Sequence, residues 1–148
     1  MKMEVTVMDA VFGEMTYKHR WFKTEILNIF EKDFSVRIVA KAFSGKPITD
    51  EQRDAYKWFK ENLGQINETM TQLASGYINE NCQEFAANWS GARMVASPAD
   101  LAQIITPRTI LFTKDGGILV LFDCPWDEHG IAIQLKPEIE IGCQDIFL

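Results

Sequence analysis

The run Asp123-Cys124-Pro125-Trp126-Asp127-Glu128-His129-Gly130 holds the densest group of reactive side chains in this chain. A thiol close to an imidazole could form a thiolate–imidazole pair, because a nearby base lowers the thiol pKa and the thiolate is the attacking species. The carboxylates could instead offer hard oxygen ligands to a cation. Against the nucleophile, Cys124 shares strand parity with Phe122, which turns it inward. A buried free cysteine behaves as a small hydrophobe. Against the cation, the acids do not keep an EF-hand spacing, and the chain has only 2 histidines. The plainer reading is a polar strand connection in which Pro125 sets the bend and Asp127 and Gly130 meet the turn geometry. No catalytic residue, metal ligand or cofactor is therefore expected.

Within this run Trp126 has two readings, a lid folded back on the core or an exposed anchor among charges. The high average burial of tryptophan favours the lid. If the run contacts a partner, Asp123, Trp126, Asp127, Glu128 and His129 are the residues that would do so. Elsewhere, Lys18-His19-Arg20 is too short for a nucleic-acid footprint and reads as a solvated turn. Trp89-Ser90-Gly91-Ala92-Arg93 has neither phosphate-loop spacing nor a G-x-S-x-G context, and reads as a loop.

The elements that must position these residues follow from the local patterns. The first 43 residues read as extended, a β-meander whose strands include 14–17, one opened by Trp21 and Phe22, 25–30 and 35–40. Thr49 followed by Asp50, Glu51 and Gln52 is a capping-box pattern that starts a helix. Ala55, Trp58, Phe59 and Leu63 continue it as one buried face, and Gly64 is placed to end it in a left-handed turn. Met70, Leu73, Ala74, Tyr77, Ile78 and Phe85 keep helical spacing for a second helix from after Asn67 to about residue 86. Ser97, Pro98 and Asp100 start a third, short helix, confined by Pro107. Strands return at 109–112 and 118–122 around the Lys114-Asp115-Gly116-Gly117 hairpin turn, then at 130–135 and 139–141. Strands, helices, then strands predict an α+β fold: an antiparallel sheet carrying two main helices and one short helix.

Composition bounds the function. A chain of 148 residues, 47% hydrophobic and 24% charged, suits one folded domain over residues 1–148. A net charge of −6 disfavours nucleic acid and anionic membranes, and points to a basic protein partner if charge selects one. The acids Glu51, Asp54, Glu61, Glu68, Glu80 and Glu84 fall off the apolar helix faces, as solvating charge or as an acidic surface. The opening residues lack the apolar core of a secretory signal and no stretch matches a membrane span, so a cytoplasmic protein is expected. Cys82, Cys124 and Cys143 lack C-x-x-C spacing and read as reduced thiols with no disulfide.

Leu121-Phe122-Asp123-Cys124, Trp126-Asp127, Glu128-His129-Gly130 and the terminal Gly142-Cys143-Gln144-Asp145, with Phe12-Gly13-Glu14-Met15 and Trp21 at the other end, resemble a group of uncharacterised bacterial domains. The resemblance covers both ends of the chain and the helical middle in outline. Members of such groups are suspected to be immunity-type proteins of bacterial toxin systems, and the resemblance carries no catalytic residues with it.

The expectation is a non-enzymatic binding protein, an immunity-type inhibitor of a cognate bacterial toxin acting through an acidic surface. Two alternatives stand beside it: a small hydrolase or transferase using Cys124 and His129, and a housekeeping scaffold or homodimer.

Overall fold

The computed structural model describes residues 5–42 and 45–148. The readings of residues 1–4 and 43 as extended chain lie outside them. Eight strands form one sheet in the order β1 to β8: Val5–Asp9, Gly13–Tyr17, Trp21–Ile29, Lys32–Ala40, Thr106–Phe112, Ile118–Cys124, Asp127–Lys136 and Glu140–Cys143. Between β4 and β5 the chain forms α1 (Asp50–Glu61), α2 (Leu63–Glu80), α3 (Cys82–Phe85) and α4 (Pro98–Ile104). The α+β fold is as expected, with one correction to its wholly antiparallel sheet. β4 and β5 run parallel, Ala40 beside Phe112, because the chain leaves the sheet through the helices and re-enters in the same direction. Parallel neighbours need such a crossover.

The capping box forms in full. Gln52 N–H donates to Thr49 Oγ1 at 3.1 Å, and Gln52 Oε1 accepts from Thr49 N–H at 3.0 Å. Gln52 does more than cap, since its side chain has 0% exposure and Nε2 donates to Lys41 O at 2.7 Å and Phe112 O at 3.1 Å. It thereby pins the start of α1 to the carboxyl ends of the parallel strands.

Three helical expectations need correction. Gly64 does not end α1: Asn62 caps it and α2 begins at once, with Gly64 inside its first turn. The second helix therefore starts earlier than Asn67 and breaks at Asn81 before α3. Phe59 is in the core, but Trp58 is only half-buried beneath Lys136, whose Nζ lies 4.3 Å from its ring centre. Ser97 caps α4 with Pro98 in its first turn, as the spacing predicts, but the helix ends before Pro107, which is buried in β5.

β2 meets β3 only at Thr16–Phe22 and Tyr17–Trp21, and the tip of the β1–β2 hairpin at this edge of the sheet packs against α1. Phe12 at its tip stacks on Tyr56 at 4.4 Å. Asp9 accepts from the amides of Val11 and Phe12 and from Arg53 Nε at 2.8 Å. Burial opposes its charge, but these donors together outweigh that and hold its pKa below the ordinary carboxylate value. The β3–β4 turn places Phe30 and Glu31 at positive φ, +55° and +62°. Bulky residues rarely tolerate this. Asn67 holds the turn, accepting from Phe30 N–H at 3.1 Å and donating to Asn28 O at 2.8 Å, while the Phe30 ring is buried against Phe122.

The helices cover one face of the sheet over the main core. On the other face Val39, Leu111 and Leu119 are buried, with Phe22, Leu121 and Phe147 partly buried against them. Strand register puts the β2–β3 and β5–β6 turns at one end of the sheet with the carboxyl ends of β4 and β5, and the β6–β7 turn at the other. Among the described residues no helix is long and apolar enough to cross a membrane.

Candidate functional site

The polar run of residues 123–130 is a tight hairpin. β6 ends at Cys124, β7 begins at Asp127, and only Pro125 and Trp126 lie between them. Trp126 is 8% exposed, stacked on Phe85 at 4.3 Å with the rings 5° from parallel, and 5.4 Å from Trp89. The lid reading is the one the geometry carries. Trp126 is corrected from partner-contacting anchor to core residue, because a ring closed between two others offers no face to a partner. Residues 89–93 form a loop, as read from the sequence, and Trp89 is buried within it.

Beyond the turn the register jumps, with Phe122 opposite Ile131 and Cys124 opposite Asp127, so Glu128, His129 and Gly130 bulge against Asp123. Bulges of this kind re-aim side chains, and here Glu128 and His129 are exposed. Gly130 makes the bulge possible at φ +79°: a Cβ there would lie 2.3 Å from Phe122 O and 2.6 Å from Gln144 Nε2. Gln144 opens the 3-10 turn Gln144–Ile146 and donates to Phe122 O at 3.1 Å and Ile131 O at 3.3 Å. The chain end is thus clamped into the bulge.

That clamp delivers Asp145 to His129, whose Nδ1 lies 3.0 Å from Asp145 Oδ2, while Nε2 lies 3.7 Å from Glu128 Oε1. The hydrogen bond with Asp145, then its charge, raises the His129 pKa above the ordinary value. Asp127 points back into the turn, accepting from His129 N–H at 2.9 Å and from Cys143 Sγ at 3.4 Å. The His129 amide holds its carboxyl below the ordinary pKa. Asp123 pairs with Arg108 on β5 and is exposed.

Cys124 and His129 are not brought together. The Cys124 thiol contacts the Asp127 carbonyl at 3.5 Å, and burial pushes its pKa up to about 11, the reverse of what an attacking thiolate needs. All three cysteines are free. Among the described residues no group of His, Cys, Asp and Glu is arranged to hold a metal ion.

The arrangement can present charge: the carboxylates of Asp123, Glu128 and Asp145 on a tight turn, with the Arg108 guanidinium and the His129 imidazole among them. Sequence reasoning missed Arg108, Gln144 and Asp145 as parts of this site. The Gln144-Asp145 pair stood in the stretch that carried the resemblance, but no local pattern says that it folds back on Gly130.

A family model described as a domain of unknown function (DUF6985) matches residues 11–148. The chain belongs to the DUF6985 family. Both halves of the clamp, Gly130 and Gln144, lie within the DUF6985 match, as do all four helices, whereas β1 precedes it. No curated protein and no solved structure matches the chain.

Proposed function

We propose that this DUF6985 chain is a non-enzymatic binding protein that docks a basic protein partner through the acidic end of its sheet, as an immunity-type inhibitor of a cognate bacterial toxin. The observation that carries this reading is the meeting of Glu128 and Asp145 around His129 on a rigid turn, with Asp123 beside them. An inhibitor needs a complementary surface held in one conformation, and the Trp126–Phe85 stack and the Gln144 clamp hold this one. The net charge of −6 supports the sign of the partner, and complementary charge speeds encounter and suppresses wrong partners. Glu84, exposed on the short helix whose Phe85 stacks on Trp126, adds to the same field, while the other helical acids, Glu51, Asp54, Glu61, Glu68 and Glu80, add to the overall negative charge. The toxin-directed role rests on the resemblance to suspected immunity proteins. A partner site there consists of Asp123, Asp127, Glu128, His129 and Asp145, with Trp126 as its support.

The test begins with a partner isolated from the native cell. Its association rate is then measured for the parent and for a Glu128→Lys, Asp145→Lys double variant, at low and moderate salt. Rim charges act on association rate and are screened by salt, so the double variant should associate more slowly, most of all at low salt. A folded variant with an unchanged rate and salt dependence would remove this end of the sheet from the interface. Co-expression with the partner tests inhibition: the parent restores growth that the partner alone arrests, and failure to do so rejects the immunity role.

A further inference from the structure

At the opposite end of the sheet lies an open cavity of about 840 Å³ lined by His19, Arg20, Lys41 and Lys114, with Ala42 and Thr113 between them. These side chains come from three separate places in the chain: the β2–β3 turn, the exit of β4 and the β5–β6 turn. Register brings them together, since Trp21 lies beside Ala40, Ala40 beside Phe112, and Phe112 beside Ile118. In a chain of net charge −6, none of Arg20, Lys41 and Lys114 has a carboxylate within ion-pair distance among the described residues. Among the described residues the one acid on the lining is Asp115, which is turned to the Thr113 hydroxyl.

The frame behind these side chains is stiff. Gln52 holds the carbonyls of Lys41 and Phe112, and Thr49 Oγ1 donates to Lys114 O at 2.8 Å. Lys18 N–H donates to Arg20 O at 3.0 Å across the turn that sets His19 at φ +71°. The cavity also lies beyond the carboxyl ends of the parallel strands β4 and β5. Unpaired cations gathered on a fixed backbone focus a positive potential that attracts anions.

We infer that this cavity binds a compact phosphate-bearing anion carrying more than one negative charge. Among the described residues the lining offers charged and hydroxyl groups and no Phe, Tyr or Trp ring, so recognition rests on charge and hydrogen bonding with anionic oxygens. A neighbouring cavity of about 550 Å³, on the other side of the β5–β6 turn, has the opposite character, with Glu51, Asp54 and Asp115 on its wall. The two cavities share Thr113 and Asp115, so the anion selects a side. This inference is independent of the acidic interface at the other end of the sheet.

The experiment is a titration of the full chain with inorganic pyrophosphate at constant ionic strength, followed by backbone amide shifts, with sodium chloride as the matched control. Saturable shifts are expected at Arg20, Lys41 and Lys114, with none at Leu119 or Gln134 in the acidic cavity. Arg20→Gln and Lys41→Gln should each weaken binding about tenfold, the size of one charge-assisted contact, while leaving the thermal midpoint of the free protein in place. Lys114→Gln supplies an independent third variant should either of these fail to fold. Shifts that follow chloride equally, that do not saturate, or that persist unchanged in the variants would overturn the inference.

Discussion

The side-chain amide of Gln144 occupies the space that a Cβ on Gly130 would fill, 2.6 Å from that position. The missing side chain of one residue is the seat of the other, and from it Gln144 reaches the carbonyls of Phe122 and Ile131. Gly130→Ala should therefore combine backbone strain at φ +79° with a clash against Phe122 O, at a cost of roughly 3 kcal/mol or more. Gln144→Ala, which removes both of these hydrogen bonds, should cost about 1–3 kcal/mol. Denaturant midpoints check both, and a Gly130→Ala protein as stable as the parent would show that the bulge does not need glycine.

Gln52→Leu should destabilise by about 2–4 kcal/mol although it enlarges the apolar surface at a core position. It takes the Nε2 donor away from Lys41 O and from Phe112 O, which keeps only the Lys41 N–H, and removes half of the capping box. The measurement is urea unfolding at an unchanged slope. A gain in stability would mean that water can reach this junction.

Truncation of the aromatic residues should be graded by burial. Phe59→Ala and Trp126→Ala, fully and nearly fully buried, should each cost about 3–5 kcal/mol. Trp58→Ala should cost less than half of that, because its ring keeps one side in solvent under Lys136. Equal losses for Trp58 and Phe59 would contradict the placement of α1 described above.

The Cys124 thiol, pushed up to about 11 by burial, should label slowly at neutral pH, with the rate rising about tenfold per pH unit as thiolate forms. Peptide mapping after alkylation reads Cys124 separately from Cys82 and Cys143. Fast labelling with a midpoint near neutrality would restore the nucleophile reading.

His129 should titrate above its ordinary value of about 6.5, because Asp145 holds its proton. A raised folded pKa gives stability that is fully present below the unfolded value and is lost as pH rises through the folded one. The pair therefore stabilises the turn fully below the ordinary histidine value and loses that contribution as pH rises through the raised folded value. NMR titration of the imidazole in the parent and in Asp145→Asn checks this, with the midpoint moving down in the variant.

What the sequence determined by itself is the local grammar. Thr49 with Gln52, Ser97 with Pro98, and the Lys114–Gly117 turn each carry their cause within a few residues, since caps and tight turns are satisfied by neighbours in the chain. The α+β class follows from the order of these segments. The tertiary structure decided what depends on residues distant in the chain. It made β4 and β5 parallel, turned the capping residue Gln52 into the buried tie between them, and closed Trp126 between Phe85 and Trp89. It also folded Asp145 onto His129 and gathered His19, Arg20, Lys41 and Lys114 around one cavity. Gly64 shows the limit from the other side: its type suits a helix end, but the packing of Ile66 and Met70 into the core carries the helix through it. Propensity is worth about 1 kcal/mol at a glycine, less than the burial of a single large side chain, so wherever the two compete the packed core decides.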